Sequence, residues 1–503
     1  MTQYISTRGT GDAVPSAMAI KQGIAADGGL LVPDQIPQIS LEDIARMQTQ
    51  SYQQRAVTIL SLYLTDYTRQ ELEDAVAAAY TEEKFPEGPA PLAQLNKYND
   101  REYMLELWHG PTAAFKDVAL QLLPHLMTQA VAKTGEQAEI CILTATSGDT
   151  GKAALEGFRD VPGTQIVVFY PHEGVSELQK LQMVTQEGDN CHVAAVEGNF
   201  DDAQTGVKQL FGDPQLAEKL ARGGRLLSSA NSINWGRLVP QIAYYFSAYA
   251  DLLAREKIEL GEAVNFVVPT GNFGNILAAW YARSMGLPVH KLICASNRNK
   301  VLSDFIRNGH YDKRREFYRT NAPSMDILIS SNLERLLFEL SDRSSDVVRG
   351  WMSDLAEQGH YQIDSQSLRR LQEVFVGGFA DDNGTVRTIR ELYDRCDYVV
   401  DTHTAVGFNV YGRYAARSGD ETKTVFVATA SPFKFAEAVA DGLFGNGYAR
   451  GRSTETLLTE LSAESGLELP PALTGLDRRE IRHTRKVGKQ DLLAVVTELL
   501  GLN

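Results

Sequence analysis

Between residues 96 and 450 the chain alternates two hydrophobic periods. Short, nearly continuous apolar runs read as buried strands: AEICILTAT, TQIVVFYP, NCHVAAVEG, AVNFVVPT, HKLICAS, CDYVV and KTVFVAT. Between them lie longer stretches with apolar residues three and four apart, which read as amphipathic helices: GKAALEGFRD, FDDAQTGVKQLFGD, NILAAWYARSMG and AVGFNVYGRYAARS. Strands alternating with helices predict right-handed βαβ units and an α/β fold of open, mainly parallel sheets. Residues 1–95 form an N-terminal extension. Turn-rich GIAADGGLLVPDQIP leads there into helical ISLEDIARMQ and TRQELEDAVAAAY. Residues 451–503 read as a C-terminal helical segment that ends in KQDLLAVVTELLGLN. No internal repeat or low-complexity linker interrupts the pattern.

Bulk properties narrow the function. A chain of 503 residues, 43% hydrophobic, exceeds one small domain, and two or three are expected. A formal charge of −15 disfavours nucleic acid and anionic membranes as partners. It leaves room for a small anionic substrate, because a few backbone amides and cations set the local field. Cys141, Cys191, Cys294 and Cys396 are far apart, and three lie in strand-like runs, so buried reduced thiols are expected. The histidines show no HxxxH or HExxH spacing, and no metal is expected. The start, MTQYISTRGTGDAVPS, lacks the pattern of a signal peptide, and no apolar run reaches about 18 residues. A cytoplasmic protein is the expectation.

Ligands of open α/β sheets bind where strands end and helices begin. Four such junctions stand out. In VVPTGNFGNILAAW the loop Gly271, Asn272, Phe273, Gly274, Asn275 opens a helix, and its backbone amides suit a phosphate; a plain tight turn is equally compatible. In LTATSGDTGKAALEGF, residues Thr146, Ser147, Asp149 and Thr150 open a helix and suit a carboxylate or phosphate, or simply cap it. In VATASPFKFAEAV, Thr429 and Ser431 precede Pro432 at a helix start, where a hydroxyl either caps the helix or faces a ligand ring. In LLSSANSINWGRLVPQIAYYF, Asn231, Asn234 and Arg237 match phosphate recognition, although a capped solvated loop explains them too.

The stretch LWHGPTAAFKDVALQLLP places Lys116 between Phe115 and Asp117, after a Gly-Pro turn and before an apolar helix. Most lysines are solvated. One embedded like this, beside a phosphate cup, an anion cup and a ring-facing hydroxyl, supplies the parts that a pyridoxal phosphate enzyme needs.

These residues resemble threonine synthase, in the tryptophan-synthase-β-like group of pyridoxal phosphate enzymes. HGPTAAFKD looks like that family's pattern around its Schiff-base lysine, GNFGN like its phosphate loop, and TSGDTG like its substrate side. Tyr4 to Gly9 and Asp27 to Pro33 are similar to its N-terminal elements. The family's TAHPAKF stands here as TASPFKF, which keeps Thr429 and departs at Ser431 and Phe433. The resemblance implies two interleaved open α/β domains of fold type II over residues 96–450, with pyridoxal 5'-phosphate as cofactor. It implies Lys116 as the lysine bonded to the cofactor and as general base. Gly271, Asn272, Phe273, Gly274 and Asn275 would contact the phosphate, and Thr429 the ring nitrogen. The implied reaction is a lyase reaction, turning O-phospho-L-homoserine and water into L-threonine and phosphate. Thr146, Ser147, Asp149, Thr150, Asn231, Asn234 and Arg237 are then the substrate-side candidates, with Lys152 and Arg8 as lesser ones. A monomer or a homodimer fits equally. Rival readings are a dehydratase or phospho-lyase that releases 2-oxobutyrate, a cofactor-free binding protein, and an NAD-dependent oxidoreductase, which lacks its GxGxxG loop.

Overall fold

A computed structural model describes residues 1–96, 99–146, 148–172 and 175–502. Two sheets organise it. The larger has six strands in the order Phe375–Phe379, Val289–Ser296, Val264–Pro269, Thr424–Ala428, Asn99–Glu106, Leu92–Asn96. All its pairings are parallel except the last. The smaller has five parallel strands, Lys486–Val487, Cys191–Val196, Thr164–Pro171, Glu139–Ala145 and Arg225–Ser228. The chain leaves the larger sheet after Asn99–Glu106, builds four strands of the smaller one, and returns to Val264–Pro269. The two domains are therefore interleaved.

Helix Trp235–Ala254 is the return path. Its sequence is mostly apolar, and it is buried along nearly its full length. It packs on helices Lys116–Lys133, Tyr52–Tyr63 and Gly274–Ser284. Residues from the N-terminal part join this core: Tyr4 and Tyr63 each lie 5.4 Å from the Trp235 ring, as does Tyr281. Leu92–Asn96 forms the antiparallel edge of the larger sheet.

Two expectations are corrected. CDYVV is not a strand. Cys396 ends helix Asp382–Cys396, Asp397 turns into the left-handed region (φ 53°), and the next residues run irregularly to Asp401. Val399 and Val400 are buried by packing, without pairing to a neighbour. A short apolar run reports burial more reliably than conformation. The C-terminal segment is not wholly helical either. Between helices Thr454–Ser465 and Leu492–Leu499 it adds the two-residue strand Lys486–Val487 to the smaller sheet. Two residues are too few to carry a period. No helix among the described residues is long and apolar enough to cross a membrane.

Candidate active site

Lys116 and Asp149 are each the first residue of a helix, Lys116–Lys133 and Asp149–Phe158. The two helices pack side by side. A side-chain carbon at Gly157 would run into the Leu120 carbonyl, so glycine is required for that approach. The result brings Lys116 Nζ to 3.6 Å from Asp149 Oδ2, with side chains 11% and 4% exposed. A carboxylate is favoured at a helix start and an ammonium is not. Burial pushes the Lys116 amine below its ordinary pKa; Asp149 opposes the fall, and Lys434 and Arg237 add to it.

The turn before Lys116 is fixed from both sides. Phe115 N–H donates to the Thr429 carbonyl at 2.9 Å, and Ser431 N–H donates to the Ala113 carbonyl at 3.0 Å. Ala114 thus faces Ala430 as an antiparallel bridge. Ala113 lies in the left-handed region (φ 58°), which strains a residue with a side chain. Asp117 locks the turn: it accepts from Thr112 N–H at 2.8 Å and from Thr112 Oγ1 at 2.6 Å. Burial raises its pKa to about 6 despite those donors.

Asp149 is a hub. Lys434 Nζ stands 2.8 Å from Oδ1, Gln179 Nε2 donates to Oδ1 at 3.1 Å, and Ser324 Oγ donates to Oδ2 at 3.3 Å. Burial opposes its ionisation, but the Lys434 ammonium first, and then Lys116, prevail and hold its carboxyl far below the usual range. Ser324 belongs to the turn around Pro323–Met325, whose carbonyl at Ser324 packs against Gly271. Ser324 N–H donates to His403 Nε2 at 3.1 Å, and His403 Nδ1 pairs with Asp401 Oδ1 at 2.9 Å. The His403 ring therefore carries its hydrogen on Nδ1.

The loop Gly271–Asn275 presents amides. Its carbonyls are tied back: Gly271 O accepts from Ser330 Oγ at 2.8 Å, and Asn272 O accepts from Asn332 N at 3.1 Å and Nδ2 at 3.0 Å. Phe273 adopts a left-handed conformation (φ 63°) just before helix Gly274–Ser284. Among the described residues nothing accepts from the N–H groups of Gly271, Asn272, Phe273 and Gly274. Asn275 Nδ2 is buried without a partner, while its Oδ1 is held by Tyr245 at 2.6 Å and by Tyr244. A side-chain carbon at Gly274 would meet nothing nearer than Asn332 Nδ2 at 3.6 Å and Gln241 Nε2 at 3.9 Å. Free amides, a helix start and amide side chains make a cup for an anion.

The remaining sequence candidates divide. Arg237 is buried, and burial lowers its pKa to about 10. Its Nη1 donates to Ala230 O at 2.9 Å, its Nε has no partner, and its charge acts on Lys116. Thr429 lies on the bridge beside Lys116. Thr150 is half-buried, one residue into the Asp149 helix, and Asn231 is exposed. Ser147 lies outside the described residues.

Others are engaged within the protein. The Thr146 hydroxyl is engaged locally, accepting from Gly148 N at 3.0 Å and Gly151 N at 2.9 Å. Asn234 is a cap: its Oδ1 accepts from Gly236 N, and its Nδ2 donates to Ile20 O and Ser229 O. Lys152 pairs with Glu156 at 3.0 Å and with Gln186, and Arg8 forks onto Glu334 at 3.0 and 2.9 Å.

Sequence reasoning missed Lys434, Gln179, Ser324 and His403. A signal existed only for Lys434, which stands between two phenylalanines in the very junction singled out for Thr429.

Comparison with known proteins places the chain in a family. Residues 3–80 match the model for the threonine synthase N terminus, residues 84–352 that for pyridoxal-phosphate dependent enzymes, and residues 404–497 that for the threonine synthase C-terminal region. The chain is 41% identical over 441 residues to threonine synthase of Pseudomonas aeruginosa, covering 87% of this chain and 89% of that protein. It is 39% identical over 436 residues to threonine synthase-like 1 of Homo sapiens, covering 84% of this chain but spanning only 57% of that longer protein. A crystal structure of PLP-bound threonine synthase from Brucella melitensis superposes with a TM-score of 0.86 at 35% identity, covering 99% of each chain.

Proposed function

The chain belongs to the threonine synthase family of pyridoxal-phosphate dependent enzymes, and on that premise we propose that it converts O-phospho-L-homoserine and water into L-threonine and phosphate. The observation that carries the proposal is the buried Lys116 amine beside Asp149, in an interleaved α/β fold whose Gly271–Asn275 loop offers unpaired amides.

The residues present fit pyridoxal phosphate. The free amides of Gly271 to Gly274 and the unpartnered Asn275 Nδ2 would hold a phosphate, Lys116 an aldehyde carbon, and Thr429 the ring nitrogen. When bound, the cofactor supplies a carbonyl for the amines to exchange on and a ring that takes up the electron pair left on the substrate carbon.

The chain's own part is acid–base work and positioning. A Lys116 amine of lowered pKa gives up its proton more readily than an ordinary lysine, which suits it to removing the proton at the substrate's Cα. The same amine can take a proton from Cβ as phosphate leaves Cγ; a proton then returns to Cγ, water adds at Cβ, and a proton returns to Cα. Asp149, held ionised, steadies the resulting ammonium. Arg237, with a free Nε in a buried setting, supports binding of the substrate's phosphate. Thr150, at a helix start, supports binding of its carboxylate. A hydroxyl at the ring nitrogen, in place of a carboxylate, limits how much charge the ring withdraws and favours controlled loss of phosphate.

The test is a product assay. Purified protein is incubated with O-phospho-L-homoserine, and phosphate, threonine and 2-oxobutyrate are measured together, with Lys116→Ala beside it. Equal threonine and phosphate, both lost in the variant, are expected. Phosphate with 2-oxobutyrate would replace the synthase by a phospho-lyase that stops short of threonine. No turnover would overturn the reading.

A further inference from the structure

Two buried lysines share one carboxylate at the site. Lys434 Nζ lies 2.8 Å from Asp149 Oδ1 and donates to the Thr112 carbonyl at 2.9 Å, with its side chain 0% exposed. Lys116 Nζ lies 3.6 Å from the other oxygen of Asp149. Two ammonium groups and one carboxylate in a buried space carry an uncompensated charge, which burial disfavours. One lysine has to give up its proton. Lys434 is the closer partner of Asp149 and has a second acceptor in Thr112, so it keeps the ammonium.

The other charged groups point the same way. Arg237, on the buried helix Trp235–Ala254, adds positive charge near Lys116. Asp117, on the lysine's own helix, has both oxygens engaged by Thr112. Among the described residues, Asp149 is the one carboxylate within ion-pair distance of Lys116. Building on the proposed function, we propose that Lys434 is a positioning residue: it occupies Asp149 as its counter-ion and thereby leaves the Lys116 amine free as a base and nucleophile. Lys434 touches no reacting atom in this scheme. Its anchor on the Thr112 carbonyl also ties it to the turn that carries Lys116, so the charge balance and the placement of the lysine are set together.

The test uses the full chain, freed of cofactor, and measures its capture of pyridoxal phosphate by absorbance between pH 6 and 10. Capture requires the neutral amine, so its pH midpoint reports on Lys116 independently of turnover. In Lys434→Met, Lys116 becomes the sole ammonium facing Asp149. The midpoint should rise by at least about one pH unit, which lowers capture at pH 7 about tenfold. Lys434→Arg, which keeps the charge, should return the midpoint toward the wild-type value. So should Lys434→Met combined with Asp149→Asn, which removes the carboxylate that would hold Lys116. The acid limb of kcat/KM should move with the midpoint in each variant. Should Lys434→Met not fold, Lys434→Gln keeps a donor for Thr112 O and carries the same expectation. An unchanged midpoint in the uncharged variant, whatever its overall affinity, overturns the inference and leaves the proposed function standing. A wild-type chain that captures no pyridoxal phosphate at any pH overturns both.

Discussion

The N–H of Phe115 donates to the carbonyl of Thr429 at 2.9 Å, so the turn that carries Lys116 and the strand end that carries Thr429 form one backbone unit. Nothing in that link involves the Thr429 side chain. Thr429→Val should therefore fold normally while removing one hydrogen bond from the site, lowering kcat/KM about tenfold. Thr429→Asp should raise the share of 2-oxobutyrate over threonine. A product ratio that stays constant would remove Thr429 from the ring.

Asp149 is the buried counter-ion of the Lys434 ammonium. Asp149→Ala strands that ammonium. Removing one partner of a buried ion pair costs about 3–5 kcal/mol, a loss that urea unfolding would detect. An unfolding midpoint equal to wild type would mean that these charges are solvated or already neutral.

Asp117 supplies a pH signature. Burial raises its carboxyl from an ordinary 3.8 to about 6 in the folded chain. An acid raised in this way favours the fold below pH 3.8 and loses that contribution as the pH rises through about 6. The shift corresponds to about 3 kcal/mol. Other groups titrate nearby, so the informative quantity is the stability difference between wild type and Asp117→Asn. Between pH 4 and 7 that difference should move by about 2 kcal/mol in favour of the variant. A flat difference would contradict the assignment.

Gly271 lets the Gly271–Asn275 loop lie close against the turn that carries Ser324. A side-chain carbon there would sit 2.7 Å from the Ser324 carbonyl. Gly271→Ala should push these segments apart. A strain of about 1–3 kcal/mol would weaken pyridoxal phosphate affinity roughly tenfold or more, measurable by titration. Unchanged affinity would mean that the amides do not hold the phosphate.

Much of this site could be read along the chain because its parts sit at strand ends, where an apolar run stops and glycines or hydroxyls begin. Thr164–Pro171 is a strand over the same eight residues that its apolar run marked. Thr429 and the Gly271–Asn275 loop were legible in the same way. What was not legible has physical reasons. Asn234 looks the same in sequence whether it caps a helix or meets a ligand, and in the structure its Oδ1 caps the helix that follows. Lys434 and Ser324 meet Asp149 across long sequence separations that no local pattern encodes. Lys486–Val487 becomes a strand only because the edge of the smaller sheet is there to pair with it.

Two lysines, Lys116 and Lys434, flank the same carboxylate, and only Lys116 is assigned the bond to the cofactor. Borohydride reduction of the protein with bound pyridoxal phosphate, followed by peptide mapping, separates them directly. The account predicts a single pyridoxyl group on Lys116 and none on Lys434. A label on Lys434, or on a surface lysine with Lys116 unmodified, would contradict it.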